Sequence, residues 1–86
     1  MPVISRFFGI VISMYYNDHQ PPHFHIKYAE HKAQMEIETL ALIEGELPRR
    51  AFNLALEWAS LHRDELRLNW QLARDGQPLE TVEPLD

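Results

Sequence analysis

Apolar side chains recur at every second position through residues 23–29 and 32–38, and at intervals of three and four from residue 51 to residue 73. A period of two belongs to a strand with one buried face, and a period near 3.6 belongs to a helix with a buried stripe. A chain that changes period once, strands first and helix last, is constrained to an α+β arrangement in which the two apolar faces cover each other. At 86 residues and 45% hydrophobic content, one small domain over residues 1–86 is expected. Chains of this size bury a limited core and often lean on a partner.

Residues 9–16 (GIVISMYY) are β-branched and aromatic. They place Ile10, Ile12, Met14 and Tyr16 on one face and Val11, Ser13 and Tyr15 on the other, the pattern of a central strand. In residues 23–29, Phe24, Ile26 and Tyr28 alternate with His23, His25 and Lys27. In residues 32–38, Ala33, Met35 and Ile37 alternate with Gln34, Glu36 and Glu38. These two runs form a hairpin. A tip at Glu30 and His31 makes partner numbers sum to 61, setting Phe24 opposite Ile37, Ile26 opposite Met35 and Tyr28 opposite Ala33. The same register sets His25 opposite Glu36 and His23 opposite Glu38. Because Glu-His is a poor two-residue turn, a four-residue loop is preferred, and the faces are unchanged by it. A further short strand fits residues 40–44.

From Pro48 the pattern is helical. Pro48 suits the first helical position, and Ala51, Leu54, Ala55, Trp58, Leu61, Leu66, Trp70 and Ala73 form the stripe. Asp75-Gly76 closes it, with Gly76 as the C-terminal cap. The stripe reads as one helix of about 27 residues, roughly 40 Å long; two helices bent near residues 62–64 are the alternative. The tail carries Pro78, Leu79, Val82, Pro84 and Leu85 and should dock in extended form. The expected fold is therefore an antiparallel β-meander of three to four strands packed on one long C-terminal α-helix.

Charge and cysteine content narrow the function classes. Eight Lys plus Arg against 13 Asp plus Glu give a net charge of −5, which repels a phosphate backbone unless the cations gather on one face. The sequence shows no such gathering, and nucleic acid is not expected as a partner. With no cysteine, any metal must be held by His and carboxylate. There is no signal-peptide pattern and no run approaching the ~20 apolar residues of a membrane span. A cytoplasmic location is expected.

The stretch YYNDHQPPHFHIKY, residues 15–28, holds three of the five histidines. His23 and His25, two apart on a strand, project to one side with Cβ atoms roughly 6–7 Å apart, from which two imidazoles can converge on one ion. Glu36 or Glu38 offers a third ligand, and Asp18 or His19 a fourth. Two His and one carboxylate suit zinc or another divalent metal and leave a position for water. The candidate metal set is His23, His25 and Glu36, and the candidate catalytic set is Asp18, His19, His23 and His25. The competing reading is a stiff hairpin loop with ordinary His–Glu pairs, because Pro21 and Pro22 fix φ and order the loop whatever its use. Arg49 and Arg50 in the first helical turn oppose the helix dipole, a small mismatch that fits an anion or an acidic partner. Balance by Glu44 and Glu46 is the plainer account.

The segments ISRFFGIVISMYYNDHQPPHFH and LPRRAFNLALEWASLHRDELRLNWQLARDGQPLETVEPL resemble the bacterial family known as domain of unknown function 4160. Its hallmarks are Ser-Arg-Phe/Tyr-x-Gly, Tyr-x-Asp-His-x-Pro-Pro-His-Phe-His and Leu-Pro-x-Arg. On this chain they fall on Arg6, on Asp18, His19, Pro21, Pro22, His23 and His25, and on Arg49 and Arg50. The family has no established activity. The resemblance implies one half of a two-gene, toxin–antitoxin-like module, with a small partner encoded nearby from the family of domain of unknown function 2442.

Two functions follow as expectations. The first is a protein-binding component of such a module, with Arg6, Arg49 and Arg50 available to a partner or anion, or to a second copy in a homo-oligomer. The second is a His-based, metal-assisted hydrolase or ribonuclease-like toxin built on the Asp18–His25 loop, with zinc as the candidate cofactor.

Overall fold

The structure, a computed structural model, describes residues 2–86. Five strands, β1 (Val3–Phe7), β2 (Ile10–Ser13), β3 (His23–Tyr28), β4 (His31–Glu36) and β5 (Leu42–Gly45), form one antiparallel sheet in chain order. Helices α1 (Arg49–Leu61) and α2 (Arg63–Arg74) follow. The α+β class and the meander agree with the change of period. The sheet is larger than the three to four strands expected, and the helical segment is divided.

The extra strand is β1. A register irregularity between Val3 and Ser5 places Ile4 and Ser5, adjacent in sequence, both out of solvent. Such a bulge breaks the period of two that marks a strand. Phe8 (φ 49) and Gly9 (φ 81) then form the tight turn into β2, both in the left-handed region that two-residue hairpins favour.

The β3–β4 register differs from expectation by two. Phe24 pairs with Met35, Ile26 with Ala33, and Tyr28 with His31, because the turn lies at Ala29 and Glu30 rather than at Glu30 and His31. Ala29 takes φ 53, a conformation its residue type does not signal. A shift of two leaves each side chain on its own face but changes its neighbour. His23 therefore faces Glu36, not Glu38, and His25 faces Gln34, not Glu36.

The core lies between one sheet face and the helices. Ile10, Ile12, Met14, Phe24, Ile26, Met35 and Ile37 meet Ala51, Ala55, Trp58, Leu66 and Trp70. At His62 (φ −126, ψ 26) the chain leaves α1 and starts α2. His62 Nδ1 lies 2.6 Å from Glu65 Oε1, and Asp64 and Glu65 occupy the first turn of α2, where negative charge suits the helix dipole. The break rotates Leu61 out of the stripe, leaving it 65% exposed. Pro48 stands one residue before α1 as its cap, and Gly76 (φ 69) follows Asp75 at the end of α2.

The tail docks without regular secondary structure, as expected. The Val82 amide donates to Ile4 O on β1, so the tail occupies part of an edge that would otherwise be open to another chain. Trp58 Nε1 donates to Glu83 O, and buried Asn69 both donates to and accepts from the Glu80 backbone. Among the described residues no helix is long and apolar enough to cross a membrane.

Candidate metal centre and sheet-face groove

The loop from β2 to β3 delivers Asp18 to the start of β3. It turns at Asn17 (φ 57), and its end is pinned where the Ile37 amide donates to Pro22 O. Asp18 Oδ2 then lies 2.8 Å from His25 Nε2 and 3.1 Å from His23 Nε2. One ligand atom from each of Asp18, His23 and His25 falls within 4.8 Å of the others. A tetrahedral ion with bonds of about 2.1 Å holds its ligands roughly 3.4 Å apart, close to the two separations measured from Asp18 Oδ2.

The protons on these groups follow from their partners. His23 Nδ1 lies 2.7 Å from Pro21 O, and a carbonyl only accepts, so Nδ1 donates. His23 Nε2, the other ring nitrogen, points toward Asp18. That atom is fully buried and has no hydrogen-bond partner, although it lies within ion-pair distance of the carboxylate. Asp18 Oδ2 lies close to it but off the direction that a hydrogen bond needs. His25 is different, since its Nε2 donates to Asp18 in line. Burial alone would raise the Asp18 carboxyl, but the His25 bond, the His19 amide and the two imidazoles outweigh it and hold it below the usual carboxylate range.

The environments of the two imidazoles also differ. His23 is wholly buried, its ring centroid 5.4 Å from that of Trp70 on α2. His25 is partly exposed, meets Tyr15 edge-on at 4.2 Å, and lines a groove of about 340 Å³ on the sheet face opposite the helices. The two histidines expected to project to one side of the strand are thus unequal, and only His25 reaches solvent.

The remaining candidates separate. His19 stays exposed, with its Nε2 3.9 Å from Asp18 Oδ1, and lies outside the group of three. Glu36 faces His23 across the ladder, but the carboxylate that joins the two imidazoles is Asp18. Arg49 and Arg50 are exposed at the start of α1, and no ion pair or hydrogen bond among the described residues ties them to the group. Arg6 is exposed on β1 opposite Val11. Tyr15 and Trp70 join the site only with the structure, and of the cations that could build a positive field, Arg6, Lys27, Lys32, Arg49 and Arg50, only Lys27 and Lys32 line the groove. The alternation that puts Val11, Ser13 and Tyr15 on one face and His25 and Lys27 on another was readable, but joining those faces required the register.

Fold and site together define a small α+β domain with an Asp-His-His group at one end of an open sheet face. The chain belongs to the family described as Domain of unknown function (DUF4160), which matches residues 9–71 and so includes all three members of the group. No curated protein and no solved structure matches it.

Proposed function

We propose that this chain is a divalent-cation-dependent hydrolytic domain in which Asp18, His23 and His25 hold the ion. The observation that carries the reading is His23: a buried imidazole whose Nδ1 is committed to the Pro21 carbonyl and whose Nε2 lies 3.1 Å from a carboxylate oxygen without a hydrogen bond to it. A metal-ligating histidine commonly donates its other N–H to a backbone carbonyl, which fixes the tautomer and aims the lone pair. Two nitrogens and one carboxylate oxygen suit zinc and leave a coordination position for water. A cation so held lowers the pKa of a bound water toward neutrality and supplies the nucleophile. His25, on the groove side, is the member of the group that meets a ligand lying on the sheet.

The test is titration of the purified chain with Zn²⁺ and Co²⁺ after chelator treatment. One ion per chain is expected, with binding lost in His25→Ala. An unaltered chain that takes up neither ion would overturn the reading.

A second reading is a protein-binding component of a two-gene, toxin–antitoxin-like module. It is favoured by Leu61 and Leu68, large apolar side chains 65% and 50% exposed on the helices. Co-expression with the small protein encoded beside it should yield a complex that Leu61→Ser and Leu68→Ser weaken. Failure to co-purify would count against this reading.

A further inference from the structure

Although the chain carries a net charge of −5, its sheet cations lie in one line. The register pairs Arg6 with Val11, Val11 with Lys27, and Lys27 with Lys32, so one cross-strand row of four side chains runs over β1 to β4. Lys27 shares its face with His25, and that face lines the groove rather than the core. Arg6, Lys27 and Lys32 are all exposed, and none makes an ion pair among the described residues. Like charges directly opposite one another destabilise a sheet. Lys27 and Lys32 form such a pair in the middle of the meander, a cost that a bound anion would remove.

From this row we infer that the groove binds a small phosphate monoester, its phosphoryl group between Lys27 and Lys32 and its organic part toward Val11 and Tyr15. The charge decides the class: two facing ammonium groups complement a dianion better than a carboxylate or a phosphodiester, each with a single charge. The size agrees, since about 340 Å³ holds a small organic ligand and not a folded macromolecule. Position links the row to the proposed metal centre, because Lys27 stands two residues from His25 on the same face, about 7 Å along the strand. Glu44, the one acidic side chain on the groove wall, pairs with Gln34 in the neighbouring row, on the strand beyond Lys32. The inference deepens the hydrolytic reading and rests on it for chemistry, though not for binding. Hydrolysis there consumes one water: its oxygen bonds to phosphorus, the P–O bond to the alcohol breaks, and one water proton ends on the leaving alcohol oxygen.

Phenyl phosphate and inorganic phosphate, titrated into the full chain with chelator present and followed by backbone amide shifts, test binding separately from metal. Saturable phenyl phosphate binding is expected, with shifts at residues 25–34, weakened roughly tenfold or more by Lys27→Gln and by Lys32→Gln and little changed by Arg74→Gln. Inorganic phosphate should bind more weakly, and equal binding would reassign the site to the free anion. Equal weakening by all three substitutions would mark a general charge effect and overturn the inference. So would absence of saturable binding, or tighter binding of a short single-stranded oligonucleotide than of phenyl phosphate. Metal uptake without phosphate binding would sink this inference alone, whereas phosphate binding by a chain that takes up no metal would sink the hydrolytic reading and leave the anion site standing.

Discussion

His23 Nε2 and Asp18 Oδ2 stand 3.1 Å apart, the first fully buried and the second on a carboxylate held below its usual range, with no hydrogen bond between them. A cation bound between a ring nitrogen and a carboxylate oxygen so placed would be held by both. Asp18→Asn keeps the size of the side chain and removes its charge, so it should weaken Zn²⁺ by more than about 100-fold, beyond the 10–100-fold loss usual for an outer-shell partner. Competition against a chromophoric chelator measures this. Saturating Zn²⁺, at a concentration about 100 times its dissociation constant, should add about 2.7 kcal/mol to the unfolding free energy of the unaltered chain. The Asn variant should gain little.

Acid should unmask Asp18 in the metal-free chain. Its carboxyl lies below its ordinary value in the fold, so the folded state binds that proton less readily than the unfolded chain. The resulting stability is present above the unfolded value and is lost as pH falls through the folded one. Urea midpoints of the unaltered chain and Asp18→Asn, taken in chelator, should therefore approach each other below about pH 4. A gap that widened with acid would contradict the depressed carboxyl.

Two glycines with similar backbone angles should respond differently to alanine. Gly45 (φ 81) sits where an added Cβ would collide with the Lys32 carbonyl oxygen and lie 2.7 Å from Ala33 Cα, both backbone atoms of the neighbouring strand. Gly76 (φ 69) has nothing within 4 Å. Gly76→Ala should cost only the left-handed backbone, about 1 kcal/mol. Gly45→Ala adds a steric clash and should cost about 3 kcal/mol, read as a shift in urea midpoint. Equal losses would mean that β5 does not lie so close to β4.

The physical basis of what was legible shows in particular residues. Alternation placed Phe24, Ile26, Met35 and Ile37 in the core because burial of one sheet face is enforced at every second position. Ala29 hid the β3–β4 turn, since alanine carries no sign of a positive φ, and the register slipped by two. The bulge near Ile4 hid β1 by the same failure of a simple period. Asp64 and Glu65 did mark a helix start, but the apolar stripe continued across it and suggested one helix. Asp18 was a member of the candidate set, yet its place between two imidazoles depends on how a nine-residue loop returns to β3, and no period encodes that.

The tail depends on one side chain more than on its own apolar residues. Asn69, 1% exposed on α2, donates its Nδ2 to Glu80 O at 2.9 Å and accepts the Glu80 amide on Oδ1 at 2.8 Å, so one amide satisfies both backbone groups of a single tail residue. Beyond it Val82 reaches Ile4 and Glu83 accepts from Trp58, which makes Asn69 the first of three ties between the tail and the domain. Asn69→Ala removes two hydrogen bonds at a buried site and should cost about 2 kcal/mol. Tail and β1 edge share the Val82–Ile4 bond, so the loss should spread: the Val82 amide should exchange faster in Asn69→Ala, while amides in the β3–β4 ladder slow and quicken only with global stability. Trp58 should keep its buried ring, because its contacts with Phe7 and Phe24 do not pass through the tail. Unchanged Val82 exchange in the variant would show that the tail is held by Leu79, Val82 and Leu85 alone.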